Sequence, residues 1–135
     1  MITAVDSSVL LDVLTDAPTR AASSLEALRR ARRSGPIVAC PVVWAEVRAF
    51  FAEVGRMNEA FASAGIAFDP FDEDSSDLAG AIWQLYRRQG GRRTHLVPDF
   101  LIGAHAQVRA GRLLTRDRGF FRRYFRELEV MEPAL

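Results

Sequence analysis

Short apolar runs alternate with longer stretches of helical period along this chain of 135 residues. Residues 2–5 form a run that stops at Asp6 and read as a buried strand. Val9, Leu10, Val13 and Leu14 then share one face of a helix over 7–14. A second helix is expected over 19–33, with Ala21, Leu25 and Leu28 on its apolar side and Ser34-Gly35-Pro36 as its stop. Residues 37–40 read as a second buried strand. Pro41 suits the first position of a helix running to about residue 54, with Val43, Val47, Phe50 and Val54 as its stripe. Gly55 is expected to end it, and a short helix over 57–64 closes at Gly65. Residues 66–68 suit a third strand, and an acidic start at 72–77 opens a helix to Arg88 that Gly90-Gly91 ends. Pro98 opens another helix to about Arg109, and residues 113–115 and 128–131 read as the last strands. A short aromatic helix or turn over 119–126 lies between them.

Strands alternating with helices predict an α/β protein: one domain over residues 1–135, in three α/β/α layers around a mostly parallel sheet of four to five strands. With 49% hydrophobic and 26% charged residues the chain has apolar material for a core without disulfides. Cys40 is the single cysteine, which excludes an intrachain disulfide and a cysteine zinc cluster. No apolar run nears the ~18 residues of a membrane span, and no basic stretch precedes the first apolar residues. A cytoplasmic protein off the membrane is expected. The net charge of +1 does not announce a nucleic-acid binder, but all 18 basic residues are arginine. The lack of lysine excludes P-loop nucleotide binding, Schiff-base chemistry and aspartyl-phosphate sites that pair with a lysine.

In open parallel sheets the functional crevice lies outside the carboxyl ends of the strands. Asp6 follows the first strand, Asp117 closely follows the fourth, Asp99 starts the helix leading into it, and Glu46 lies early in the helix after the second. On a wheel of ~100° per residue Glu46 sits about 60° from Val43, at the edge of the apolar stripe. Glu53 shares that edge two turns later, and closeness to the strand end favours Glu46. Each acid has an ordinary alternative: Asp6 and Asp99 as helix caps, Asp117 as a turn residue, Glu46 as a half-exposed helix acid. Together they suggest a carboxylate cluster kept ionised by divalent cations. Oxygen-only donors suit Mg²⁺ or Mn²⁺ rather than zinc. Such ions can clamp the attacking and leaving oxygens of phosphodiester hydrolysis.

Four segments, Val5-Asp6-Ser7-Ser8-Val9-Leu10, Pro41-Val42-Val43-Trp44-Ala45-Glu46-Val47, Asp99-Phe100-Leu101-Ile102-Gly103-Ala104-His105-Ala106 and Leu114-Thr115-Arg116-Asp117-Arg118-Gly119-Phe120, resemble the successive signatures of PIN-domain ribonucleases. In size and coverage the chain is most similar to the VapC toxins of type II toxin–antitoxin operons. The resemblance implies a PIN-like fold and a metal-dependent endoribonuclease that leaves a 3′-hydroxyl and a 5′-phosphate. It implies a VapB-type antitoxin as inhibitor and a homodimer. Asp6, Glu46, Asp99 and Asp117 match the acidic quartet, which makes them the expected catalytic and metal-binding residues. Ser8 and Thr115 match small polar positions whose hydroxyls orient a carboxylate or a water. Some relatives carry a second acid in the last motif; here Arg118 and Gly119 stand there, which bears on a second metal site.

Arg116 and Arg118 flank an acid of the quartet and are the candidate phosphate contacts. His105, on a helix apolar nearly all round, reads as a packing histidine, and His95 as a solvated loop histidine. Trp44 and Trp83 read as core or dimer contacts, and the run Phe120, Phe121, Tyr124, Phe125 as packing against the sheet or seating an antitoxin segment. The competing reading is a catalytically inactive PIN-like module that binds RNA or a protein. A haloacid-dehalogenase-type phosphatase and a receiver domain both require the absent lysine.

Overall fold

The computed structural model describes residues 1–93 and 96–134, together with the backbone but not the side chain of Arg118. The elements run β1 (Thr3–Val5), α1 (Ser7–Leu14), α2 (Ala21–Ser34), β2 (Ile37–Ala39), α3 (Pro41–Arg48), α4 (Val54–Ala64), β3 (Ile66–Phe68), α5 (Glu73–Arg88), α6 (Pro98–Arg109), β4 (Arg112–Leu114), α7 (Arg118–Tyr124) and β5 (Glu129–Met131). The five strands are parallel in the order β3-β2-β1-β4-β5, and helices cover both faces in three α/β/α layers. None of the described helices is long and apolar enough to cross a membrane.

Burial explains the strand signal. All three residues of β1 are buried, as are two of three in β2 and in β4, so the central strands are short apolar runs without alternation. The edge strand β3 buries only Ile66. Ridges from the helices fill both faces, with Phe100, Phe121, Phe125 and Met57 among the largest fully buried side chains. Helix α6 is buried on nearly every side from Phe100 to Ala106. It carries Gly103 where a Cβ would stand 2.4 Å from the Phe125 ring, so the glycine sets the approach of Phe125 to the helix.

The helix expected from Pro41 to about residue 54 ends at Arg48 instead. The backbone tightens there into i to i−3 bonds, Phe50 N–H to Val47 O and Phe51 N–H to Arg48 O. The Arg48 guanidinium donates to Phe51 O at 2.9 Å and locks the turn. Phe51 packs against the core, while Phe50 and Val54 are 48% and 50% exposed, so the true stripe of α3 is Val43 and Val47. Gly55 lies inside α4 rather than ending α3, and Glu53 stands at the N-cap position of α4. The terminating glycine is Gly65, at φ 72°.

The strand order sets where a site can form. From β1 the chain winds toward β2 and β3 on one side, then crosses back to β4 and β5 on the other. The sheet's direction therefore reverses between β1 and β4, and the loops leaving their carboxyl ends diverge and leave a crevice.

Candidate active site

Asp6 leaves β1 at this crevice and is 6% exposed. Its N–H donates to Leu114 O at 2.9 Å, extending the β1–β4 pairing by one residue. The residue sits at the N-cap position of α1, yet its carboxylate caps nothing. Instead Oδ2 accepts from Thr115 Oγ1 at 2.7 Å and from Ser8 Oγ at 3.1 Å. Each hydroxyl has one proton to give, and both give it to Asp6. As acceptors the same hydroxyls fix the β4–α7 loop: Thr115 Oγ1 receives Asp117 N–H at 3.0 Å and Ser8 Oγ receives Arg116 N–H at 3.2 Å. Ser8 and Thr115 thus tie the first acid to the backbone that carries the last.

Asp117 is exposed at the N-cap position of α7, where its Oδ1 accepts Phe120 N–H at a long 3.4 Å. The ordinary capping role and a place in the cluster coexist for this residue. Glu46 stands on α3 with an exposed side chain whose Oε1 accepts from Ser7 Oγ at 3.0 Å. Sequence reasoning passed over Ser7, which the Asp6-Ser7-Ser8 triplet sends toward Glu46 while Ser8 turns back to Asp6. Asp99 is not a cap: Val97 holds the N-cap position of α6, and Asp99 lies in the first turn.

The other three acids act on Asp99. Burial pushes Asp99 up to about 6, and the charges of Asp6, Asp117 and Glu46 push in the same direction. Burial raises the Cys40 thiol, and Asp6 and Glu46 again add to it, which places those two acids near the end of β2. Among the described residues no group of three or more acid, histidine or cysteine side chains stands ready to enclose a metal ion. Mg²⁺ keeps several of its waters and is commonly held through one or two carboxylates. The donor set is all oxygen, and its mutual repulsion falls when a cation enters.

Arg116, a candidate phosphate contact, is turned away from the crevice. Its Nε meets Asp12 Oδ2 at 2.5 Å, and its Nη2 donates to Ser23 Oγ at 2.7 Å, Ser24 Oγ at 3.0 Å and Arg20 O at 3.1 Å. Its guanidinium braces α1 against the start of α2, and only its backbone N–H faces the site. The side chain of Arg118 and all of His95 lie outside the described residues.

His105 is buried, as expected of a packing histidine, but it is not in apolar company alone. Its Nε2 lies 2.8 Å from Asp69 Oδ2. Arg109 grips the same carboxylate at 2.5 and 3.1 Å and Asp72 at 2.9 Å. The Arg109 guanidinium, ahead of the His105 bond, holds Asp69 below the usual carboxylate range, while burial lowers His105. This cluster pins the loop after β3 to α6, the helix that carries Asp99. Trp44 packs edge-on against Phe61 and Phe68, and Trp83 stacks on Tyr86, so both are packing residues.

The aromatic run of α7 divides by helical spacing. Phe121 and Phe125 are 0% and 1% exposed in the core. Phe120 and Tyr124 are half-buried and line a cavity of about 420 Å³ that opens at Asp99.

The sequence profile of the PIN domain matches residues 3–126. Curated protein sequences give no match. Among solved structures, VapBC2 from Rickettsia felis, bound to a DNA fragment from their promoter, is similar with TM-score 0.77 at 16% identity, over 99% of this chain and 100% of that one. VapBC-1 from nontypeable Haemophilus influenzae is similar with TM-score 0.70 at 17% identity, over 98% of each chain. A toxin–antitoxin complex from Klebsiella pneumoniae is similar with TM-score 0.61 at 20% identity, over 88% of this chain and 89% of that one. At these identities the likeness is one of fold.

Proposed function

The chain belongs to the PIN-domain family, and from that premise we propose that it is a metal-dependent endoribonuclease of the VapC toxin type, restrained by a VapB-type antitoxin in the cytoplasm. The observation that carries this reading is the electrostatic convergence of Asp6, Glu46 and Asp117 on a half-buried Asp99 at the β1–β4 switch point. An acid pushed to about 6 by burial and like charges marks a place where a cation can relieve the repulsion. The antitoxin partner is supported by the fold shared with the toxin–antitoxin complexes, and a homodimeric assembly is part of the same proposal.

In this reading Asp6, Asp99 and Asp117 hold Mg²⁺, or Mn²⁺ in its place, directly or through water. The bound ion supplies an acidified water and charge stabilisation at the phosphate. Ser8 and Thr115 saturate Oδ2 of Asp6 and so fix the direction in which Oδ1 points. Ser7 holds Glu46 at the rim, where it completes the cluster or orients water. Water adds to phosphorus, the bond from phosphorus to the 3′ oxygen breaks, and that oxygen takes up a proton. The products are a 3′-hydroxyl and a 5′-phosphate, and no histidine base is needed.

The test is cleavage of total cellular RNA by the purified, antitoxin-free protein with Mg²⁺ or Mn²⁺, with EDTA, and with Asp6→Asn and Asp99→Asn. Cleavage is expected only with metal and both acids. A folded, metal-supplied protein that cuts no RNA would transfer the reading to an inactive binding module.

A further inference from the structure

The cavity that opens at Asp99 does not stop there. It is walled by Tyr86, Phe120 and Tyr124 and carries Arg93 and Arg123 at its edge. A second hollow of about 350 Å³ shares Tyr86, Arg93, Arg123 and Tyr124 with it and continues past Gly90, Gly91 and Arg92. A third, of about 520 Å³, shares Arg123 and Tyr124 and runs on between α5, α6 and the end of α7. Arg123 and Tyr124 are thus common to all three, so the hollows adjoin along α7 as a row of open depressions, here called the channel, which reaches the acids at Asp99 alone.

Resting on the nuclease reading, we propose that this channel is the bed for single-stranded RNA flanking the scissile phosphate, with Phe120 and Tyr124 as stacking surfaces for bases and Arg93 and Arg123 as phosphate contacts. Charge selects the occupant. Arg92, Arg93 and Arg123 are exposed along the first two hollows, whose one acid among the described residues is Asp99, while the third carries Glu127 with Arg123 and Arg126. A polyanion is drawn along the arginines toward a cation held at the acids. The rings also divide by depth. Phe121 and Phe125 fill the core, while Phe120 and Tyr124, 5.1 Å apart, pack on its edge against Phe100 and remain half-buried where they line the first hollow. The Arg123 guanidinium lies over the Tyr124 ring, 5.2 Å from its centre, so cation and aromatic ring form one surface. Aromatic platforms interleaved with cations are the general means of holding a single strand whatever its sequence. At about 420 Å³ the first hollow falls in the range of roughly 300–1,000 Å³ that holds a small ligand such as one nucleotide, far short of a duplex. Gly119 stands on its wall, where an added Cβ would meet nothing within 4 Å.

The test uses the full chain in EDTA, which separates binding from cleavage, and a short fluorescein-labelled single-stranded RNA read by anisotropy over a salt series. Arg93→Ala and Arg123→Ala are each expected to weaken binding about five- to tenfold. Each also flattens the slope of log affinity against log salt by about 0.7, the value for one phosphate contact on a single strand. Gly119→Leu keeps every charge but fills the wall, and is expected to weaken binding to a similar extent. Arg33→Ala removes the same charge from the far end of α2 and leaves affinity and slope unchanged. Equal RNA affinity in all these forms overturns the proposal and is the result if the channel seats a protein segment instead. A loss shared by Arg33→Ala overturns it too, since net charge alone would explain it. Cleavage with Mg²⁺ is scored separately. Variants with unaltered affinity in a protein that still cuts RNA refute the channel and leave the nuclease reading standing. A channel-dependent affinity in a protein that cuts nothing refutes the nuclease reading and keeps the channel.

Discussion

Replacing Asp99 by asparagine should stabilise the metal-free protein. The folded chain keeps a proton on this carboxyl up to about pH 6, against an ordinary value of 3.8. Between those values folding takes up a proton, so stability falls as pH rises through the interval and the cost is complete above it. At about 1.36 kcal/mol per pKa unit the interval sets an upper bound of about 3 kcal/mol. Two effects reduce it. The side chain is partly open to solvent, which screens its neighbours. It also lies in the first turn of α6, where a negative charge recovers about 0.3–1 kcal/mol from the helix dipole. A net gain of about 1–2 kcal/mol remains for Asp99→Asn at pH 7.5, or roughly 2–8 °C in Tm for a domain of this size. Melting should be followed in EDTA at pH 7.5 and again near pH 4. By pH 4.5 the gap shrinks to about a third, and near pH 3.8 it is almost gone. Added Mg²⁺ should raise the Tm of the parent more than that of the variant. An asparagine variant no more stable than the parent at pH 7.5, or a gap that persists at pH 4, would refute the view that these acids repel one another at a common site.

Four further outcomes follow from particular contacts. Thr115→Val strips a donor from Asp6 and an acceptor from Asp117 N–H, and should cost about 2 kcal/mol in urea unfolding together with most RNA cleavage; full activity would remove Thr115 from the site. Arg116→Met leaves Asp12 unpaired beside Ser24 and should cost about 3 kcal/mol while leaving the salt slope of RNA binding unchanged; a stable variant with a flatter slope would restore Arg116 as a phosphate contact. Gly103→Ala forces a methyl against the Phe125 ring, and a loss of about 1–3 kcal/mol is expected; a neutral result would mean that Phe125 moves freely. Asp69 is held low by Arg109, so its contribution is full above the ordinary carboxylate pKa and lost as pH falls below it; Asp69→Asn should flatten the acid limb of the stability profile, and an unchanged limb would show the cluster to be idle.

Much of this arrangement was legible where the chain's local pattern and its packing ask for the same thing. The helices over Ser7–Leu14 and Pro98–Arg109 and the strand Ile66–Phe68 begin and end where apolar period, proline and glycine place them. The rule that sites form beyond strand ends singled out Asp6, Glu46, Asp99 and Asp117 without any contact being known. The break after Arg48 was not legible, because Phe50 and Val54 continue the helical period while lying outside the core. The bond that closes that turn, from Arg48 to Phe51 O, has no signature in spacing. Nor had the Asp69–His105–Arg109 cluster, whose members come from a loop and a helix 36 and 40 residues apart. Arg116 shows the same limit at the site itself. Its position beside Asp117 suggested a phosphate contact, and its direction is decided by Asp12, 104 residues earlier.

The seam between β1 and β4 also sets a clock. The hydroxyl that fixes the Asp6 carboxylate is made 109 residues after Asp6 itself. At translation speeds of about 5–20 residues per second the two are born roughly 5–20 s apart. Until its end the sheet lacks β4, the neighbour of β1 on the crevice side, and the crevice has one wall. An interrupted or prematurely terminated message therefore yields fragments that carry the early acids but no assembled centre. Under the nuclease reading unfinished copies carry no activity, and the centre comes into being only when the last strands emerge.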